Sequence, residues 1–173
     1  MTTVTFLGVG ELTQEIVMNG LGSATQVVIQ GYTSIGRMAF INNSLMTSIT
    51  IGNSVTSIGD YAFQGCNGLT SVTIPDSVTS IGNNAFYGSE GLTSVTIPDS
   101  VISIGSFAFQ TCIGLTSVTI GNSVTSIGNN AFAHCYGLTS VTIGTILNIS
   151  PYMFAHCYGL TSVTIPDSVT SIG

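Results

Sequence analysis

The stretch LTSVTIPDSVTSIGNNAFYGSEG, residues 69–91, decides the fold, because near copies of it fill most of the chain. Its first six letters recur at a period of 23 residues and then of 22. A repeat of about 20 to 29 residues that contains a short apolar strand is typical of a solenoid, in which each turn buries its apolar side against its neighbours. We therefore predict a repeat solenoid that forms a single domain. The LTSVTI motif begins at Leu69, Leu92, Leu115, Leu138 and Leu160.

The alternation inside one turn predicts a short strand with one buried side. Val72 and Ile74 alternate with Ser71 and Thr73, so two side chains point inward and two point outward. Pro75 ends the strand because it has no N–H to donate. The second inward position of this strand can be followed through the whole chain, which predicts eight strands. It is occupied by Phe6, Ile29, Ile51, Ile74, Ile97, Ile120, Ile143 and Ile165.

The rest of the turn contains two further groups of apolar residues that we expect to be buried in the core. Val78 and Ile81 are apolar and lie three residues apart beyond the proline. The segment 83–86 is long enough for one helical or 3₁₀ turn that places Ala85 and Phe86 inward. We therefore expect short helical or 3₁₀ turns on the side opposite the strands.

The composition excludes several classes of function. Only 5% of the 173 residues are charged, with seven acids, Arg37 as the single base and a net charge of -6. Soluble domains average about 25% charged residues, so Ser, Thr, Asn and Gly must cover this surface. Without a cationic patch, binding to nucleic acid or to an anionic membrane is not expected. No apolar run approaches the roughly 20 residues of a membrane span, and no signal peptide is recognisable in the chain.

The unit L-x-x-V-T-I-P-D-S-V-T-S-I-G-x-x-A-F-x-x-C resembles the BspA-like leucine-rich repeat family over about residues 24–173. The resemblance implies a curved right-handed superhelix with a parallel β-sheet on one face. It also implies adhesion or protein binding at the surface of microbes and protists, and no catalytic residue. Residues 1–23 keep the period only weakly, so we expect a degenerate first turn or N-terminal cap there, followed by tandem 22- to 23-residue repeats in 24–173.

The outward strand positions form two columns of hydroxyl side chains, the candidate binding surface. Neighbouring strands lie about 4.8 Å apart and alternate residues about 6.7 Å apart, so the face is a regular, uncharged lattice. Such a lattice could hydrogen-bond a protein or glycan, or order water as an ice-binding face does; threonine also simply suits an exposed strand. The serine column is Thr3, Ser48, Ser71, Ser94, Ser117, Ser140 and Ser162, and the threonine column is Thr5, Thr50, Thr73, Thr96, Thr119, Thr142 and Thr164.

The four cysteines share another column, which we expect to face the core as free thiols. A disulfide between Cys135 and Cys157 is the alternative, although parallel side chains rarely offer the required dihedral angle. His134 and His156 each precede one of these cysteines. Adjacent residues point apart, so the histidines should face solvent, and we predict no metal site and no cofactor. The remaining column members are Cys66 and Cys112, with Asn43 and Ser89 at the equivalent positions of other turns.

The aspartates that follow the strands are expected to cap their own turns. Asp76 and Asp99 lie on neighbouring turns, where a shared calcium ion is the alternative, and Asp167 lies further along. No nucleophile, base and acid gather in one irregular pocket, so we predict no enzyme. The sequence favours a secreted or cell-surface binding module with a protein or glycan partner, and end-to-end self-association through an open solenoid end is a further alternative.

Overall fold

The computed structural model, which describes residues 1–145 and 148–173, contains a seven-stranded parallel sheet made by one strand from each turn. Each strand pairs with the equivalent strand of the next turn: Ile49 lies beside Val72, and Val95 beside Val118. The solenoid is therefore confirmed. The first sheet consists, in order, of β1 (Thr3–Leu7), β3 (Gln26–Gln30), β5 (Ser48–Ile51), β7 (Ser71–Thr73), β9 (Ser94–Ile97), β11 (Ser117–Ile120) and β13 (Ser140–Ile143).

A second parallel sheet follows the Ser-Ile pairs, which the sequence analysis did not identify as strands. In five of its six two-residue strands the isoleucine is buried and the serine faces outward, as Ser80 and Ile81 show; in β2 the buried residue is Leu12 and the outward one Glu11. Two short strands at the C-terminal end form a separate pair, β14 (Asn148–Ile149) with β15 (Ser171–Ile172). The second sheet consists of β2 (Glu11–Leu12), β4 (Ser34–Ile35), β6 (Ser57–Ile58), β8 (Ser80–Ile81), β10 (Ser103–Ile104) and β12 (Ser126–Ile127).

The third side of the solenoid is built from tight turns rather than from the helical or 3₁₀ turns expected there. The N–H groups of Asn84, Phe86 and Gly88 donate to carbonyls of the following turn at 3.0, 2.7 and 2.8 Å. Asn84 and Gly88 take positive φ angles of 55° and 66°. An N–H that bonds to the next turn cannot also close a helical bond, so the Ala-Phe segments form a ladder. This turn ladder comprises residues 36–43, 59–66, 82–89, 105–112, 128–135 and 150–157.

A continuous stack of phenylalanines fills the space between the three sides. Five rings are fully or almost fully buried, and consecutive rings lie nearly parallel with centroids 5.0 to 5.8 Å apart. Phe6 closes the N-terminal end of the stack edge-on to Phe40 at 6.3 Å. Neighbouring turns thus share one core, as the repeat predicts. The stack consists of Phe40, Phe63, Phe86, Phe109, Phe132 and the half-buried Phe154.

The first 23 residues form a turn of the same solenoid, but with a helix in place of one segment of the turn ladder. Strand β1 pairs with β3, and β2 pairs with β4. In place of the turn ladder stands the helix α1 (Gln14–Gly20), the one α-helix in the described part of the chain. Thr13 caps it by accepting a hydrogen bond from the Ile16 N–H, and Val17 is buried.

The last of the eight predicted strands does not form. Residues 162–165 have no strand pairing among the described residues, Val163 is half-buried and Ile165 is 46% exposed. Seven strands is therefore the correct number for the first sheet. The side chains of this segment are only partly covered, and it does not pair with the edge strand β13. No helix in the described residues is long and apolar enough to span a membrane.

Candidate binding surface

The structure places the serine and threonine columns on the outward face of the first sheet. In β9 and β13 both hydroxyl positions are exposed, while the residues between them are buried. The register brings Thr96 beside Thr119 and Thr119 beside Thr142, so the columns run straight from β5 to β13. In β3, Gln26 and Val28 interrupt them and separate them from the hydroxyls of β1. Ser162 and Thr164 are exposed but lie outside the sheet, because the eighth strand is absent.

Within the described residues, the hydroxyls of the threonine column have no protein partner, unlike those of the threonines that precede most strands. Thr93 and Thr116, just before their strands, each donate to the carbonyl of the previous turn's equivalent residue, at 3.2 and 3.0 Å. Thr56 and Thr79, just before β6 and β8 of the second sheet, do the same. Within the described residues, none of the following makes a hydrogen bond through its hydroxyl: Thr50, Thr73, Thr96, Thr119, Thr142, Ser48, Ser71, Ser94, Ser117 and Ser140.

A groove runs along the threonine column and continues over several turns. Its far rim is formed by the residues after each strand, including Asp76 and Asp99, and its largest section has a volume of about 760 Å³. Asp99 does not cap its own turn, so this prediction from the sequence is wrong. Its Oδ1 accepts from the N–H of Asn122 in the next turn at 2.7 Å. Asp76 has no hydrogen bond within the described residues. We call this the threonine groove; Asn53 and Asn122 complete its rim.

The chemistry of the threonine groove suits a neutral, polyhydroxylated or amide-rich ligand. Its floor offers hydroxyls that can both donate and accept, and its only charged lining groups are two carboxylates, which accept. A surface without cations has no partner for phosphate or sulfate groups. Since the floor hydroxyls are solvated and unpaired, a ligand can replace their water without breaking the fold.

The asparagines and aspartate on the second sheet's edge are already used by the fold. Asp60 accepts from the N–H of Asn83 at 2.7 Å, and Asn83 accepts from the N–H of Ser106 at 2.9 Å. These side chains therefore tie successive turns together. The shallow groove beside them is lined by one serine hydroxyl from each of four second-sheet strands.

The four cysteines are buried free thiols that satisfy the carbonyls of the phenylalanine stack. Cys112 donates to the Phe86 carbonyl at 3.1 Å, and Ser89, the equivalent residue one turn earlier, donates to Phe63 at 2.7 Å. Burial raises the pKa of Cys66 and of Cys112 to about 12. The neighbouring thiol of Cys157, together with burial, raises the pKa of Cys135.

The thiols of Cys66 and Cys112 should therefore react very slowly with a disulfide reagent. The thiolate is the nucleophile, and a pKa near 12 leaves almost none of it at pH 8. We expect Ellman's reagent to modify these two thiols at least roughly a hundredfold more slowly in the folded chain than in the unfolded chain; Cys157, whose pKa is lowered by its neighbour Cys135, is not included. Cys112→Ser should keep the fold, since Ser89 makes the same hydrogen bond; fast modification of Cys66 or Cys112 in the native wild type would contradict the buried column.

The two His-x-Tyr segments form an exposed aromatic cluster on the last two turns. The imidazoles of His134 and His156 stack at 4.5 Å, and their Nδ1 atoms lie 3.2 and 2.9 Å from the hydroxyls of Tyr136 and Tyr158. The cysteines between them point into the core, as expected from the sequence. Over residues 1–145 and 148–173, no three His, Cys, Asp or Glu side chains come together to hold a metal ion.

Comparisons with known proteins agree on the type of repeat. Residues 33–147 and 79–173 match the family described as BspA type leucine rich repeat region, in six copies. A leucine-rich repeat protein of T. pallidum is 30% identical, with a TM-score of 0.84 over 89% of this chain and 75% of that one. A leucine-rich repeat protein from Bacteroides ovatus, also 30% identical, has a TM-score of 0.87 over 99% of this chain and 48% of that one, so this chain spans about half its length. No curated protein matches the sequence.

Proposed function

Because the chain belongs to the BspA-type leucine-rich repeat family, we propose that it is a non-enzymatic binding module that holds an extended ligand along its threonine groove. The family consists of repeat proteins that typically mediate protein interaction and adhesion. We place the module at the cell surface or outside the cell, where such contacts are made. The ligand is an extended protein segment or a neutral glycan.

One observation carries this proposal: from β5 to β13, both outward hydroxyls of every strand in the first sheet are unpaired within the described residues. The second sheet offers only one such column, the serines of its two-residue strands. Threonines just before the strands of both sheets are held by carbonyls of the previous turn. The threonine column repeats its free hydroxyl once per turn, so a linear ligand lying along the solenoid axis would meet equivalent partners at every turn. Asp76 and Asp99 add two acceptors at the rim for ligand hydroxyls or amides.

Two lysines on the floor of the threonine groove should strongly weaken ligand binding. In a screen of neutral glycans and extracellular matrix proteins by surface plasmon resonance, we expect Thr96→Lys with Thr119→Lys to weaken a wild-type hit at least about tenfold, because the long side chains fill the groove and add charge. Ser126→Lys, on the exposed side of β12, is the matched control and should bind as the wild type does. Equal binding by all three chains would place the ligand elsewhere and refute the groove.

The same lattice supports a second candidate function, binding to ice. Thr96, Thr119 and Thr142 present free hydroxyls and methyls in register on an uncharged face, a regular array that can order water. Thermal hysteresis lost in the lysine pair and kept in Ser126→Lys would establish this function. A wild-type protein with no hysteresis and no ice recrystallisation activity would eliminate it.

A further inference from the structure

A cavity of about 380 Å³ lies between α1 and the first segment of the turn ladder, remote from the threonine groove. Val17, Met18 and Leu21 form the wall on the helix side. Ala39 and Ile41 form the opposite wall, and Leu45, which is 56% exposed, lies at the edge. None of the cavity's lining residues carries a charge.

The cavity exists because a helix occupies the place of a ladder segment. Stacked turns of the solenoid approach to the spacing of paired strands, about 4.8 Å. A helix with its side chains is about 10 to 12 Å across, so its axis cannot come so close to the next turn. The space between the helix and residues 36–43 is therefore wider than the space between any two ladder segments.

The same replacement leaves a row of backbone acceptors without donors. In the following turn the carbonyls of Asp60, Ala62 and Gln64 accept N–H groups from residues 38, 40 and 42 at 2.9, 2.7 and 2.6 Å. The equivalent carbonyls in the first ladder segment belong to Arg37, Ala39 and Ile41. In the described part of the chain no N–H or hydroxyl donates to them, because α1 uses its own N–H groups within the helix.

These features define the chemistry of a ligand. The acceptors of Ala39 and Ile41 face the side from which ladder N–H groups arrive in every other turn. A ligand needs N–H donors spaced as in a peptide and an apolar group for the wall formed by Val17 and Leu21. Anionic ligands find no cation in this cavity, and a sugar lacks the apolar group.

We propose that this cavity is a binding site for a short, uncharged peptide segment with an apolar side chain, whose backbone N–H groups donate to the carbonyls of Ala39 and Ile41. The peptide extends the turn ladder by one segment on its N-terminal side. This site is independent of the proposed threonine groove, and neither requires the other.

The probe is the acetylated and amidated pentapeptide Met-Ala-Phe-Ile-Asn, which copies residues 38–42, the segment that donates to the next turn. In the ¹⁵N-labelled 173-residue chain we expect amide shifts confined to residues 14–22 and 36–45. The control probe carries N-methyl groups on the three donating amides and keeps every side chain. Its affinity should be at least tenfold lower, because it cannot donate to the carbonyl row.

Two variants locate the site on the protein. Leu45→Lys places a charge at the cavity edge and should weaken pentapeptide binding at least tenfold, whereas Ile113→Lys, an exposed position on another turn, should leave it unchanged. Circular dichroism checks that both variants are folded. Absence of shifts, shifts elsewhere, or equal affinity of the methylated and unmethylated probes would each overturn the proposal.

Discussion

Replacing Phe109 by alanine should lower the free energy of unfolding by about 3 to 5 kcal/mol. The ring is fully buried in the middle of the stack, with neighbouring ring centroids at 5.0 and 5.1 Å and planes within 5° of parallel. Its removal leaves a cavity that the turns cannot close, because hydrogen bonds on three sides fix their spacing. Chemical denaturation followed by circular dichroism measures the change.

Thr119→Ala is the matched control on the same turn. Its hydroxyl is exposed and unpaired, so truncation should change stability by less than about 0.5 kcal/mol. Phe154→Ala should fall between the two, since this ring is only half-buried at the end of the stack. If Phe109→Ala and Thr119→Ala cost the same, the division into inward and outward columns would be wrong.

The columns could be predicted from the sequence because strand alternation is a local property. Val72 and Ile74 face inward, and Ser71 and Thr73 outward, whatever lies further along the chain. The 23-residue period then places equivalent residues side by side. The candidate surface followed directly from these two facts, and the structure adds the groove and its rim.

The turn ladder could not be predicted in the same way, because its hydrogen-bond partners lie in the next turn. Read within one turn, the Ala-Phe segment has the length of a short helix. Its N–H groups bond forward to the following turn instead. Only a partial signal was present: Asn or Gly occupies five of the twelve ladder positions with positive φ, as in Asn84, Gly88 and Asn130, whereas bulkier residues such as Tyr61 and Phe107 occupy the others. Asn and Gly accept such angles most readily.

The division of the threonines into free and paired hydroxyls was also invisible in the sequence. Thr93 and Thr96 are the same residue type three positions apart. Only the stacking of turns shows that Thr93 donates to the Thr70 carbonyl while Thr96 remains free for a ligand. The free and paired threonines of the candidate binding surface could therefore be told apart only once the turns were stacked.

Gly105→Ala should destabilise the chain by about 3 kcal/mol, the upper part of the range for overpacking, and lower its melting temperature by roughly 6 to 12 °C. A Cβ at this position would lie 2.5 Å from the Asn83 nitrogen and 2.6 Å from the Gly82 carbonyl carbon. Both atoms belong to the backbone of the previous turn, which cannot move aside as a side chain could. The two turns must separate, and the Gly105 N–H bond to the Ile81 carbonyl, 2.8 Å long, must lengthen.

Gly88→Asn provides the control, since a Cβ there meets nothing within 4 Å and Asn42 already takes the same positive φ at the equivalent position. It should cost less than about 1 kcal/mol. Differential scanning calorimetry measures the melting temperatures of both variants. Gly105→Ala weakens one interface in the middle of a stack whose turns contact only their neighbours, so its unfolding transition should also broaden. Equal melting temperatures for the two variants would mean that Gly105 does not protect the spacing between turns. The close stacking that aligns the threonine groove would then have to be reconsidered.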